Sequence, residues 1–432
     1  MSALTGRLGG LFERFRKVES EVPRVEDPGK DFRSASGLPV VPAFDGFRAL
    51  AIFGVVVLHL ITIQGLASPD GNTLLSVVVW GALGRAVEVL FVVSGFVVFL
   101  PTVARSGKFG SIKAYAIRRA ARLAPAYWVA LFLSCLVLFL LFPPVAYPTI
   151  PQIGVHFLFL QTPAHWIHES IVPGLAINAP LWTLSIEVTF YLLLPFVASW
   201  YSRRPFVGLL AALIITAGWQ EFLFHYFQKL GNTAGFHVTA PMIFNGTNQF
   251  PAWVLSFATG MTAAWIYVNW VIPKKGVFAS SAKTNLLCGL VLIVFVGFAI
   301  WGGVEASSIG GLLSYAYQPA LLGLGFTLSL GAAMLMISAS GRIFQAAFAN
   351  RPVRKLGDMS YGVYLSHFAL ISIAIGYLGF EEVDTLEGVL TLSAFVLPLT
   401  LVYGYLSARF LEQPIRRWAH KFGAKAQGTA RS

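Results

Sequence analysis

Charged residues are scarce in this chain, and their scarcity excludes most classes of soluble protein. Only 12% of the 432 residues are Asp, Glu, Lys or Arg, whereas soluble domains carry roughly 25%. Hydrophobic residues make up 56% of the chain and the mean hydropathy is +0.71. One water-soluble core cannot bury that much apolar surface, so the surrounding solvent must be largely lipid, in which each helical span needs about 20 apolar residues.

Cysteine is nearly absent, which excludes a disulfide framework and a cysteine-based metal site. Cys135 and Cys288 each stand alone in an apolar stretch, and we expect both to be packing residues. We expect no metal site elsewhere. A cleavable signal peptide is not expected either, because the first 43 residues are polar and contain no apolar segment.

Long apolar runs take the place of the missing charge, and they predict an all-α, polytopic membrane helix bundle with about ten transmembrane helices. Two further runs, 74–82 and 151–161, are too short to span and could extend a helix or form re-entrant pieces. The predicted spans are 45–64, 84–101, 121–142, 181–200, 206–225, 251–271, 284–302, 319–338, 356–379 and 388–411.

The positive charge of the chain predicts its topology. A net charge of +12 would suggest nucleic acid for a soluble protein, but here the cations lie in short blocks between apolar runs, so we expect no nucleic acid partner. With the N-terminus placed in the cytoplasm, every one of the 31 Lys and Arg residues except Arg85 and Lys229 falls on the inner side. The positive-inside rule therefore supports ten spans with both termini cytoplasmic.

The predicted domain organisation has three parts. Residues 1–43 form a cytoplasmic tail, in which residues 4–18 place apolar side chains on one helical face among basic ones. This pattern fits a basic amphipathic helix on anionic lipid, and a disordered basic tail fits as well. Residues 44–412 form the transmembrane domain, and residues 413–432 form a basic cytoplasmic tail.

Arg48 and His59 are ionisable residues in the first predicted span, where a charge costs at least ~2.5–3.5 kcal/mol. They are eleven positions apart in FDGFRALAIFGVVVLHL, which puts both on one helical face with a rise of about 16 Å. His59 is then about 10 Å below the outer surface. A neutral imidazole there can take a proton from a hydroxyl, although a structural histidine bonded between helices also fits.

Glu187, in APLWTLSIEVTFYLLLP, is predicted at the same depth as His59. A carboxylate beside an imidazole could orient the ring and stabilise its charged form. The alternative is an ion pair between helices, with Arg85 as the candidate partner.

An arginine cluster opens the third predicted span. Arg118, Arg119 and Arg122 carry guanidinium groups, which suit bidentate binding of phosphate. A positive-inside flank explains Arg118 and Arg119 equally well, whereas Arg122 lies a full turn inside the span. Further polar site candidates within the spans are Glu88, Ser94, Tyr364, Ser366 and His367.

Six motif segments follow one another between residues 40 and 417. They are Arg48-x10-His59, VEVLFVVSGFVVFLP (87–101), RRAARLAPAYW (118–128), LWTLSIEVTFYLLLP (181–195), LGDMSYGVYLSHF (356–368) and FLEQPIRR (410–417). In this order they resemble the acyltransferase family 3 membrane proteins. Glu88 stands where many members have aspartate, and the tail 1–43 lies outside the family pattern.

The resemblance implies an enzyme of the plasma (bacterial inner) membrane. Its donor would be an acyl-CoA such as acetyl-CoA, used as a co-substrate with no bound cofactor. The acceptor would be a hydroxyl of a cell-envelope carbohydrate or lipid-linked molecule, and Arg48 and His59 would be the defining functional pair. Many members carry a fused extracytoplasmic esterase-like domain. This sequence shows none, so we expect the membrane domain to act alone.

Together, the residues and the resemblance predict direct acyl transfer. Arg48 and its arginine neighbours would hold the donor phosphates at the cytoplasmic mouth, while His59 acts as general base on the acceptor hydroxyl and Glu187 positions it. A covalent acyl-enzyme on Ser94 or Ser366 is the alternative within this class. A proton-coupled transporter uses the same buried residue types but predicts broken helices and internal symmetry.

Overall fold

The computed structural model describes residues 41–67, 73–167, 177–234, 238–308 and 320–428, and this part of the chain forms helices and no strand. π-Helical turns follow four of the helices, at Val79–Leu83, Phe222–Tyr226, Tyr267–Val271 and Ser407–Glu412. The α-helices are α1 (Ala43–Ile63), α2 (Leu74–Val78), α3 (Ala86–Ala104), α4 (Ile112–Leu141), α5 (Ile150–Phe157), α6 (Gln161–Ile167), α7 (Trp182–Arg203), α8 (Pro205–Glu221), α9 (Phe227–Ala234), α10 (Ala240–Thr247), α11 (Phe250–Ile266), α12 (Ser281–Ser308), α13 (Ala320–Ala339), α14 (Arg342–Ala349), α15 (Arg351–Gly376), α16 (Leu386–Leu406) and α17 (Gln413–Gly428).

The described helices confirm the predicted all-α polytopic fold. Nine helical stretches in the described residues are long and apolar enough to cross a membrane, and they correspond to nine of the ten predicted spans. The remaining prediction, 319–338, corresponds to α13, whose apolar stretch Gly323–Ala339 is shorter.

Large apolar side chains cover the outside of the bundle. On α12, Leu286, Leu290 and Ile293 are exposed, and on α4, Phe132 and Leu140 are exposed. Contiguous apolar surface of this kind is rare on soluble monomers. It suits a surface that faces lipid acyl chains.

Several predicted boundaries differ from the structure. Residues 74–82 belong to the 31-residue stretch Leu74–Ala104 rather than to a re-entrant piece, and 151–161 lies in the two short helices α5 and α6. Helix α4 begins at Ile112 instead of residue 121, because Ser111 caps it through a bond from the Ala114 amide.

The structure describes the C-terminal tail but not the N-terminal one. The expected C-terminal tail is helical from Gln413 to Gly428. Residues 1–40, with the amphipathic helix predicted at 4–18, lie outside the described residues.

The starts of α1, α15 and α17 lie at one end of the bundle. Gly357 of α15 packs against the backbone of Asp45 in α1. The charge of Arg416 in α17 acts on Asp358 in α15. Both ends of the described chain are therefore at the same end, as an even number of spans requires, and its assignment to the cytoplasm stays a prediction from the Lys and Arg distribution.

A close crossing of α3 and α11 organises the core. Gly95 of α3 lies against the backbone of Phe257, and Gly260 of α11 lies against the backbone of Val92. A Cβ at either glycine would collide with the opposing carbonyl, so only glycine allows this approach. The crossing holds Ser94 inside the bundle, facing α7.

Candidate functional site

Two histidines from distant parts of the chain meet inside the bundle. His59 Nδ1 of α1 and His367 Nε2 of α15 are 3.0 Å apart, and the ring centroids are 5.2 Å apart at an interplanar angle of 22°. His367 is completely buried, whereas His59 is half-buried. The ring edge of Phe368 closes one side of His59.

The hydrogen bonds of His367 determine which nitrogen of His59 is protonated. His367 Nδ1 is 2.7 Å from the Tyr364 carbonyl oxygen, and a carbonyl can only accept, so this nitrogen carries the hydrogen. Nε2 of a neutral His367 is then an acceptor, which makes His59 Nδ1 the donor. Nε2 of His59 is left with an unshared electron pair, the state required of a general base.

Tyr364 is itself held in place, which makes the chain of hydrogen bonds rigid. Its hydroxyl donates to the Pro180 carbonyl at 2.5 Å and is 2.6 Å from the Thr183 hydroxyl. The side-chain amide of Asn178 donates to the Leu365 carbonyl at 2.9 Å. The start of α7 and the segment before it therefore fix the turn of α15 that carries His367.

Glu187 does not contact His59 as the sequence predicted. Its carboxylate accepts a hydrogen bond from Ser94 at 2.5 Å and another from the Tyr191 hydroxyl. The partner of His59 is His367. The alternative pairing of Glu187 with Arg85 is also wrong, because Arg85 pairs with Glu88. One turn of α7 separates Glu187 from Tyr191, and the two side chains meet because residues four apart share a helix face.

Glu187 instead belongs to a charged group with two arginines. The charges of Arg48 and Arg122 act on each other, and both act on Glu187 and Tyr191. Arg48 also lies 3.4 Å from a carboxylate oxygen of Asp45. Arg122 has no hydrogen-bond or ion-pair partner in the described part of the chain, so its donors are available to a ligand.

Arg118 and Arg119 extend this group along α4. The Arg119 guanidinium lies 5.5 Å from the ring centroid of Tyr191, and its Nε and Nη1 are buried without a hydrogen-bond partner among the described residues. The charge of Arg118 acts on Arg119 and Arg105. The cluster predicted from sequence thus lies on one helix end with unsatisfied N–H donors, which suits an anion.

The other predicted polar candidates divide between two places. Ser366 is 2.6 Å from the Thr400 hydroxyl, and Ser94 belongs to the Glu187 group. Glu88 lies away from both and accepts from Arg85 at 2.5 Å and from Thr327 at 2.8 Å. In the described residues, neither serine is hydrogen-bonded to a histidine. Ser366 has no base beside it, which disfavours its activation as a nucleophile, whereas Ser94 donates to the Glu187 carboxylate.

Sequence reasoning missed the partners rather than the ionisable residues. His367 was a candidate without an assigned role, and Tyr191 and Asn178 were not candidates. Tyr191 could have been found from its i+4 spacing to Glu187. Asn178 carries no such signal, because its contact with the Leu365 carbonyl depends on how the residues before α7 pack against α15.

Comparison with known proteins places this chain in a known family. A family model described as an acyltransferase domain matches residues 41–409. The peptidoglycan O-acetyltransferase OatA of Listeria monocytogenes is 25% identical over 393 residues, which cover 87% of this chain and 56% of the relative. No solved structure matches.

Two further relatives extend the comparison. Acyltransferase MdmB of Streptomyces mycarofaciens is 26% identical over 399 residues, covering 87% of this chain and 92% of that protein. The O-acetyltransferase OatA of Staphylococcus aureus is 23% identical over 399 residues, covering 88% of this chain and 58% of the relative. The chain therefore spans little more than half the length of the two O-acetyltransferases.

Proposed function

This chain belongs to the acyltransferase domain family, and from that premise we propose that it is a multi-pass O-acyltransferase of the plasma (bacterial inner) membrane. Its donor is an acyl-CoA-type thioester, used without a bound cofactor, and its acceptor is a hydroxyl of a cell-envelope carbohydrate or lipid-linked carbohydrate. Peptidoglycan, which the name of the Listeria relative includes, is the first acceptor to test. The observation that carries the proposal is the hydrogen-bond chain Tyr364–His367–His59.

His59 acts as the general base in this proposal. Its Nε2 takes the proton of the acceptor hydroxyl while the hydroxyl oxygen attacks the carbonyl carbon of the thioester. The C–S bond of the tetrahedral intermediate then breaks, and the proton on Nε2 passes to the departing thiolate. His59 ends neutral, and its Nδ1–H stays bonded to His367 throughout, so the ring is oriented for both proton transfers.

The arginine group holds the donor phosphates. Arg48, Arg119 and Arg122 bring like charges together inside the bundle, where Coulomb repulsion is stronger than in water. Phosphate oxygens relieve that repulsion and accept the unpartnered N–H groups. Because α1 is continuous from Ala43 to Ile63, the rise from Arg48 to His59 is about 16 Å, a distance that a long, thin donor arm can bridge.

Two alternatives are less well supported. An acyl-enzyme on Ser366 lacks a base beside the hydroxyl, because Ser366 bonds to Thr400. An acyl-enzyme on Ser94 would use the Glu187 carboxylate as its base, which leaves the His59–His367 pair without a role. A proton-coupled transporter predicts helices broken at the midplane. The helices that carry Arg48, Arg122, Glu187 and His367 are α1, α4, α7 and α15, and each is continuous through its described length.

The decisive variant is His59→Ala. We expect acyl transfer to fall by about 10²–10⁴-fold, the usual contribution of a general base, while membrane insertion and thermal stability are retained. The assay is transfer of a labelled acetyl group from acetyl-CoA to peptidoglycan fragments by the protein in lipid nanodiscs.

The matched control is His225→Ala, because His225 is exposed and pairs with Glu221 one helical turn away. A normal rate in His59→Ala would show that the base is assigned wrongly. Thermal stabilisation of the wild type by acetyl-CoA is the expected sign of a donor site. Its absence would favour the transporter.

A further inference from the structure

A cavity of about 220 Å³ lies beside the start of α3. At ~30 Å³ per water, it has room for about seven waters or one ring of similar volume. It is smaller than the ~300–1,000 Å³ of pockets for drug-sized ligands. Helices α3, α7, α8, α11 and α13 bound it at the predicted outer end, with lining side chains that include Arg85, Glu88, Trp182, Gln220, Trp253 and Thr327.

The charged side chains that line this cavity are held by hydrogen bonds, and their charges cancel. Arg85 and Glu88 are both buried and form an ion pair at 2.5 Å, and Thr327 donates to the second carboxylate oxygen at 2.8 Å. The Arg85 guanidinium also lies 4.7 Å from the ring centroid of Phe326. The two charges cancel, so the site offers donors and acceptors without a net charge.

Gln220 supplies an unsatisfied acceptor. Its Oε1 is buried and has no hydrogen-bond partner in the described part of the chain, a state that costs roughly 1–3 kcal/mol unless a ligand or water satisfies it. Trp182 and Trp253 form an aromatic wall, with ring centroids 5.5 Å apart. Aromatic faces are apolar surfaces on which the C–H face of a sugar ring can pack.

We propose that this cavity binds one neutral sugar ring of the carbohydrate acceptor, an inference that rests on the proposed function. A hydroxyl both donates and accepts, so a polyhydroxylated ring satisfies a wall that mixes Arg85 donors with Thr327, Glu88 and Gln220 acceptors. An anion would leave Glu88 and Gln220 facing like charge, and a cation would face Arg85. The volume has room for one ring, and the rest of a longer glycan would lie outside it.

The bound ring is a neighbour of the one that is acylated. Val87 lines the cavity and also packs against the core cluster that contains Tyr364. Trp182 lines it too, while the next residue, Thr183, contacts the Tyr364 hydroxyl. The starts of α3 and α7 therefore line the cavity and also pack toward Tyr364, whose carbonyl holds His367. In this proposal, a ring held here positions an adjoining sugar for His59.

The test uses Gln220→Leu, for which a structural role and a binding role predict different values of the Kd for the sugar. If Oε1 has only a structural role, replacing an unpartnered polar atom with an apolar side chain of similar size is neutral or stabilising, and binding is unaffected. The probe is the N-acetylglucosamine–N-acetylmuramic acid disaccharide, of which the cavity would take the neutral N-acetylglucosamine ring. If Oε1 binds that ring, the Kd rises about five- to tenfold, the worth of one hydrogen bond, with unchanged or higher Tm.

Binding is measured by equilibrium dialysis of the full chain in detergent, alongside acyl transfer. Trp182→Leu should weaken disaccharide binding, and Trp301→Leu, at an exposed tryptophan on α12, should not. If Gln220→Leu binds the disaccharide as tightly as the wild type does, the inference is overturned. The proposed function would still stand if the wild type acylates the disaccharide. The opposite outcome is also distinguishable. If the wild type binds the disaccharide but transfers no acyl group to any acceptor, and Gln220→Leu loses that binding, the cavity is supported and the proposed function is overturned.

Discussion

Replacing His367 with leucine should slow acyl transfer without weakening donor binding. His59 Nδ1–H would lose its acceptor, which lies 3.0 Å away, and an unpaired buried N–H costs about 1–3 kcal/mol. At 1.36 kcal/mol per factor of ten, kcat should fall about 5- to 150-fold. His367→Gln should recover part of this loss, because the glutamine Oε1 can occupy the position of the former His367 Nε2 and accept the same hydrogen bond from His59.

Steady-state kinetics with labelled acetyl-CoA measure this effect, and Tm shows whether each variant is folded. A structural role predicts lower Tm with the remaining folded protein fully active, whereas a positioning role predicts lower kcat at an unchanged KM for the donor. Nitrogen-15 NMR of ring-labelled histidine gives an independent check, with the His59 signal assigned by comparison with His59→Ala. Finding the hydrogen of His59 on Nε2, or equal kcat in the Leu and Gln variants, would refute the reasoning.

Three further predictions concern other parts of the structure. Arg122→Gln should raise the KM for acyl-CoA by about 10- to 150-fold, the worth of a charge-assisted hydrogen bond. Arg203→Gln, at an exposed arginine, should leave that KM unchanged. An equal rise in both variants would argue for a general charge effect. Ser94→Ala should keep transfer within about tenfold of wild type, since in this proposal Ser94 supplies hydrogen bonds to Glu187 and Tyr191 and no nucleophile. Complete loss of transfer would favour the acyl-enzyme on Ser94. Burial lowers the pKa of His156 below its usual range, so the unfolded chain binds the proton more readily and stability should fall as pH drops below about 6.5. The wild-type Tm should therefore decrease between about pH 7.5 and about pH 5.5, and His156→Phe should decrease less over that range; an equal decrease would assign the effect to other groups.

The sequence alone determined the solvent, the fold class and most of the ionisable residues of the site. Apolar runs separated by cationic blocks predict helices that alternate across a membrane, because each run must satisfy its backbone internally in lipid. The spacing of Arg48 and His59 then predicts their relative height and shared face, since both follow from the rise and twist of one helix.

Only the tertiary structure decided which side chains are partners. His59 and His367 are 308 positions apart, and the depth of each along its own helix does not say how α1 and α15 are rotated toward each other. The same limit explains the error over Glu187, which was predicted at the depth of His59 but faces Ser94 and Tyr191. Helical periodicity determines height and face within one helix, whereas contacts between helices depend on packing, such as the glycine crossing of α3 and α11.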